Sequence, residues 1–188
     1  MKRLVLAEKE FILRPWREDD ISSLVLYANN YNISRNLRDA FPYPYTLSDA
    51  VKWIDMVHQN RTDLIMAIEV NGEAVGGIGI HGMKDVYRYN AELGYWLAEI
   101  HWGKGIVTRS VRRLVTYAFD HYRWQRIFAM VFEHNEASMR VLEKNGFRKE
   151  AIHRKAVIKE GIWLDEHLYA LLKDDWERFV RDNSGKKA

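Results

Sequence analysis

Cysteine is absent from this 188-residue chain, and with it go disulfides, thiolate metal sites and any cysteine nucleophile. That composition is compatible with a reducing compartment. No apolar run approaches the roughly 20 residues a membrane helix needs, and the N-terminus lacks the apolar core of a signal peptide. The expectation is a soluble, cytoplasmic protein with no membrane partner. An excess of one charge is missing too: 29 basic and 26 acidic side chains leave a formal net charge of +3, which argues against a nucleic-acid partner. The seven histidines are scattered, without a His-x-x-x-His pair, so no metal site is expected. Internal repeats, linkers and low-complexity stretches are also missing.

What is present suffices for a core. A hydrophobic fraction of 47% and seven Trp supply the apolar surface, and the length fits a single domain over residues 1–180 with a polar tail at 181–188. Arg3–Arg14 reads as a hairpin turning at Ala7-Glu8-Lys9-Glu10. Ile21, Leu24, Val25 and Ala28 recur at helical spacing. Tyr31–Tyr45, with two of the three prolines, reads as a loop that either roofs a site or packs on the core. Thr46-x-x-Asp49 is a capping box for a helix burying Ala50, Val51, Ile54 and Val57. Asn71-Gly72 predicts a hairpin pairing 64–70 with 74–81.

Farther on, a strand over 91–98 runs into Trp102-Gly103-Lys104-Gly105, which opens a helix burying Val111, Leu114, Val115, Ala118 and Phe119. A strand at 126–132 follows, then a short helix capped by Asn135 and closed by Gly146. Strands near 151–158 and 163–172 flank a Lys159-Glu160-Gly161 turn, and 174–180 forms a last short helix. The pattern is α+β, with a mixed, mainly antiparallel sheet flanked by helices.

Glycines at a helix mouth let backbone N–H groups approach an anion, and the helix end adds partial positive charge. The 103–108 loop therefore points to a phosphate-bearing ligand. It lacks the Gly-Lys-Ser/Thr ending of a P-loop and the third glycine of a dinucleotide fingerprint. Lys104, Arg109, Arg112 and Arg113 cluster nearby, which suits a ligand with several phosphates and equally a solvated helix face.

Three segments carry a more specific likeness. Glu92-Leu-Gly-Tyr-Trp-Leu97, Trp102-Gly-Lys-Gly-Ile-Val107 and Asn135-Glu-Ala-Ser138, the last running on to Asn145-Gly146-Phe147, resemble in order and spacing the GNAT superfamily of acyl-CoA-dependent N-acetyltransferases. They look most like the branch holding the RimJ/RimL-type ribosomal-protein acetyltransferases, which also contains small-molecule enzymes. The resemblance runs from about Phe11 to Leu172. It departs from the family pattern at Trp102, where Gln or Arg is usual, and at Val107, where Gly or Ala is usual.

The resemblance implies a single GNAT-like domain and acetyl-CoA as co-substrate, without a metal. It assigns the ligand to Tyr95, Trp96, Leu97, Trp102, Gly103, Lys104, Gly105, Ile106, Val107, Thr108, Asn135 and Lys144. Backbone N–H groups near Tyr95–Leu97 would meet the thioester carbonyl in the manner of an oxyanion hole. An amine is largely protonated at neutral pH, so a base helps. Glu92, sharing a strand face with Gly94 and Trp96, is the candidate, with binding of the acceptor or of an internal arginine as the alternative role. The family's usual tyrosine acid is replaced by Leu142. Ser138 is the candidate donor to the sulfur, or else an N3 residue completing the helix start. Asn135 either caps the helix or also bonds the pantetheine arm. His101 and His134 flank the motifs and are expected at the surface or behind the site.

The function implied is acetyl transfer to a primary amine, a protein N-terminus or a small molecule, by direct attack. Its rivals are a non-catalytic acyl-CoA sensor and a ribosome- or RNA-associated protein. Monomer and homodimer both stay open.

Overall fold

In the computed structural model, which describes residues 4–60 and 62–184, the N-terminal hairpin forms from β1 (Leu6–Ala7) and β2 (Ile12–Arg14), pairing Leu6 with Leu13. Arg3 lies outside the described residues. A 3-10 turn at Glu18–Asp20 leads into α1 (Ile21–Ala28), which buries Leu24 and Ala28. The span expected as loop begins instead with a helical turn, α2 (Tyr31–Ser34), because the Asn30 side chain accepts from the Asn32 amide and caps it. The Thr46–Asp49 capping box is formed and starts α3 (Leu47–Gln59). Ala50 and Ile54 are buried, but Val51 is 40% exposed. The buried stripe turns toward Trp53, whose ring packs edge-on against Trp16 at 6.1 Å.

Asn71 and Gly72 take φ of 52° and 90°, the left-handed pair that a tight hairpin turn demands. They join β3 (Leu64–Val70) to β4 (Glu73–Gly82), with a bulge at Ile68/Glu69. The sheet continues with β5 (Asn90–Leu97) and, after α4 (Ile106–His121), with β6 (Arg126–Phe132). Then come α5 (Glu136–Glu143), β7 (Arg148–Lys159), β8 (Ile162–Leu172) and α6 (Lys173–Ser184). The last helix thus runs through 181–184, read from sequence as tail; 185–188 lie outside the described residues. Gly146, at φ 83°, closes α5 with its amide on the Glu143 carbonyl and that of Phe147 on Leu142, the paired bonds of a glycine C-cap.

Strand order is β1-β2-β3-β4-β5-β6-β8-β7. Every neighbouring pair is antiparallel except β5–β6, which is parallel. One sheet face meets α4 and α5 over the larger core, where all five predicted α4 residues are buried. Each such side chain removed from water contributes about 1.5–3 kcal/mol. The opposite face carries a smaller core beneath α1 and α3, with Trp16, Ala67 and Ala74. Beside it Arg14, 1% exposed, is paired with Asp20 and Glu69. No helix among the described residues is long and apolar enough to cross a membrane.

Candidate active site

The site follows from one interruption in the sheet. β5 and β6 pair from Asn90–Arg126 to Glu92–Phe128 and no farther. Beyond that point residues 93–97 and 129–131 form opposite walls of a cleft of about 810 Å³. The Ala98 amide bonds the Val75 carbonyl on β4 at 2.8 Å. Antiparallel alternation then gives the Trp96 amide to β4 and turns those of Tyr95 and Leu97 toward the cleft. Of the three residues expected to offer N–H donors, two therefore remain available.

The cleft mouth is the glycine loop. Gly103 and Gly105 have φ of 74° and 71°, which explains glycine at both. A β-carbon on Gly103 would meet nothing within 4 Å, so backbone conformation and not crowding selects it. Gly105 is the N-cap of α4, supplies no side-chain cap, and the first turn carries no acid. Amides with no internal partner at a 16-residue helix start, in an acid-free turn, fit a phosphate group. Trp102 closes this loop by donating its indole N–H to the Leu97 carbonyl at 2.7 Å, a fixed tether where the family usually has Gln or Arg.

The arginine cluster is a different matter. Arg109 is paired with Glu10. Arg113 pairs with Glu8 at 3.0 Å. Arg112 lies over the Phe179 ring at 5.6 Å and bonds the Lys144 carbonyl at 3.3 Å. These guanidinium groups fasten α4 to the N-terminal hairpin and to the α5 and α6 region. Lys104 and Lys144 have no ion pair among the described residues, and Lys144 lines the cleft. Gly103, Gly105, Ile106, Val107, Thr108, Trp102 and Asn135 line it as well, as do Tyr95, Trp96 and Leu97. Lys104 and Glu92 are not among its walls. His101 and His134 both reach it. Burial holds the His101 imidazole below its usual range, with Lys104 acting the same way and Glu73 opposing.

On the α4–α5 face, Ser138 is held at two points. Its amide is accepted by the Asn135 side chain at 3.1 Å, so the expected cap is formed. Its hydroxyl lies 2.8 Å from the Tyr95 phenol oxygen. Leu142 is fully buried and offers nothing polar.

Alternation puts Glu92 on the other face, under the 35–45 loop. It is not free there. Arg38 forms a forked ion pair with it, one arm at 3.3 Å, and the Glu92 side chain is 23% exposed. The loop is fastened over this region: Asp39 accepts from Lys159 at 2.7 Å, Tyr31 donates to Glu160 at 2.8 Å, and Phe41 packs on Trp96 at 5.5 Å. Nearby on β8, Glu166 is 9% exposed, and burial pushes its carboxyl above the usual range.

Arg38, the Tyr95 phenol and Glu166 went unidentified in the sequence. Partners 43 and 54 positions apart leave no spacing signal. For Glu166 a signal was available: period-two alternation along β8 sets it on the face opposite the core-facing Tyr169 and Leu171.

Known proteins resemble this chain in sequence and in fold. "Probable N-acetyltransferase YjcK" of Bacillus subtilis (strain 168) is 49% identical over 88 residues, 47% of this chain and 49% of that protein. "Putative ribosomal N-acetyltransferase YdaF" of the same strain is 38% identical over 107 residues, 57% of this chain and 58% of that protein. The matched stretches thus span about half the length of these two relatives. The solved structure of RimL, the ribosomal L7/L12 alpha-N-protein acetyltransferase, in complex with coenzyme A superposes with a TM-score of 0.80 at 23% identity, covering 92% of this chain and 99% of that one. The family model for the acetyltransferase (GNAT) domain matches residues 10–148, taking in the glycine loop, both cleft walls and the Asn135–Ser138 turn, and the chain belongs to that family.

Proposed function

We propose that the protein is an acetyl-CoA-dependent N-acetyltransferase whose acceptor is a primary amine, attacking the thioester directly without an acyl-enzyme. The observation that carries this reading is the β5–β6 cleft with a hydroxyl donor, Ser138, on one sheet face and a carboxylate, Glu92, on the other. The co-substrate supplies an activated acetyl group. Uncapped α4 amides and Lys144 hold its phosphate end, and the Tyr95 and Leu97 amides face its carbonyl. In the balanced reaction a C–N bond forms and the C–S bond breaks. The ammonium gives up two protons by way of base and solvent. One stays in solvent, and the departing thiolate takes up the equivalent of the other from solvent to become a thiol.

Glu92 is the proposed base, and the Arg38 pair sets a condition on that role. Arg38 engages both carboxylate oxygens of Glu92, so an acceptor ammonium must displace Arg38 before Glu92 acts. Arg38 thus occupies the place of the substrate cation. The ribosomal designation of YdaF and the motif set favour the RimJ/RimL-like branch and a protein N-terminal amine over a small molecule.

The test is thiol release from acetyl-CoA with a panel of amines: ribosomal-protein N-terminal peptides, polyamines, amino acids and aminoglycosides. Turnover with an N-terminal peptide, with acetylation of its α-amine shown by mass, is expected. Calorimetric binding of coenzyme A with no turnover on any amine would make the protein a sensor.

A further inference from the structure

We propose that Tyr95 is a positioning residue: its phenol donates to the Ser138 hydroxyl oxygen and thereby aims the serine's own proton into the cleft. The proposal rests on the reading of Ser138 as hydrogen-bond donor to the co-substrate sulfur. A serine hydroxyl has one proton and two lone pairs and rotates freely unless something fixes it. In this cleft one thing does. The Tyr95 oxygen lies 2.8 Å from Ser138 Oγ and 3.3 Å from the Ser138 carbonyl oxygen. A phenol has a single proton, and the shorter contact is the stronger claim on it. With Oγ accepting from Tyr95, the hydroxyl hydrogen turns away from the phenol, toward the space both residues line.

The rest of the serine is fixed as well, because the Asn135 side chain and carbonyl both accept from its amide at 3.1 Å. Tyr95 does not give up its proton in this arrangement. Burial raises its ionisation well above the ordinary phenol range, the bond to Ser138 acting the other way. The chain Tyr95–Ser138 is therefore a pair of polarised donors, each strengthening the next, and no bond in it breaks. It also explains how a site with Leu142 at the usual acid position still presents an oriented donor.

The experiment compares wild type, Tyr95→Phe, Ser138→Ala and the double variant, each loaded with coenzyme A. Calorimetry measures affinity, and ultraviolet thiolate absorbance against pH measures ionisation of the bound thiol. Arg35, His101, His134, Glu136, Arg140 and Lys144 also line the cleft and are the same in all four proteins. Donors aimed at the sulfur favour its anion, so the wild-type bound thiol should ionise below free coenzyme A. Tyr95→Phe should raise that midpoint by about one unit, a tenfold weaker hold on the anion, and lower kcat on the best amine about tenfold with the acetyl-CoA KM little changed. The double variant should match Ser138→Ala.

If Ser138→Ala shifts the midpoint and Tyr95→Phe does not, the positioning role is overturned while the serine's role stands. No shift in either removes the serine reading and this proposal with it. A Tyr95→Phe shift of equal size without Ser138 means the phenol acts by another route and also overturns it. Should Tyr95→Phe not fold, a ring-fluorinated tyrosine at position 95, a stronger donor in the same space, should move the midpoint down, and an unmoved midpoint would count against the proposal.

Discussion

On the α4–α5 face of the cleft, Asn135, Ser138 and Tyr95 are joined by hydrogen bonds of 2.8–3.1 Å that leave a hydroxyl proton to offer. On the opposite face Glu92 is engaged by Arg38, and the loop carrying Arg38 is fastened by Asp39–Lys159 and Tyr31–Glu160. One side is assembled before any ligand arrives. The other is satisfied by its own residues and has to be opened by competition. Pre-organisation lowers the cost of binding, so the two halves should answer differently to substitution.

The largest effect belongs to the assembled side. Gly105→Glu sets a carboxylate at the start of α4 and a side chain at φ 71°, so coenzyme A binding should be lost while far-ultraviolet circular dichroism stays native. Unchanged calorimetric affinity in the folded variant would remove the glycine loop from the site. Next is Glu92→Gln, where kcat should fall roughly 10²-fold. That loss should shrink as pH nears the acceptor's own pKa, since free amine then needs no base. A rise in amine KM alone, with kcat and pH profile unaltered, would make Glu92 a binding group.

Arg38→Gln sharpens the contrast further. Removing the internal cation should lower the amine KM about twofold to fivefold, the range of a solvent-exposed ion pair, and leave the acetyl-CoA KM alone. A higher amine KM would instead place Arg38 in acceptor recognition. The smallest effect is on stability. Burial first, then Glu92, raises the Glu166 carboxyl, while Arg38 and His153 oppose. The folded state therefore holds that proton more tightly than the unfolded chain, and stability falls as pH rises through the folded value. Glu166→Gln should raise the melting temperature at pH 7 by about 1–3 °C, and the gain should vanish below the ordinary glutamate range of about 4. An unchanged or lower melting temperature at pH 7 would show that the ionised carboxylate is well accommodated.

The same division marks what could be read from sequence. The Thr46–Asp49 box, the Asn71-Gly72 turn, the Gly146 cap and the Asn135 cap each lie within a few residues, where side-chain chemistry and backbone geometry are tightly coupled. Residues lining the α4–α5 side of the cleft were legible for that reason and through their motif. Misses came where distant residues decide. Val51 has the right helical phase but faces solvent, because the buried stripe of α3 turns toward Trp53, which packs on Trp16. Arg14, Asp20 and Glu69 form a buried charge cluster that no periodicity announces. The arginines of α4 look like a phosphate trap until the acids of the β1–β2 hairpin are seen beside them.

The shortness of the parallel pairing has a mechanical consequence. Within the sheet, β1 to β5 and β6 to β7 are two panels stitched together along only three residue pairs. A ligand seated past Glu92 touches both panels and serves as the missing stitching. Occupancy should therefore be felt far from the chemistry, as slower amide exchange along residues 93–97 and 129–131. The joint between the two panels and the proposed working slot are the same place, and filling the slot ties the panels together.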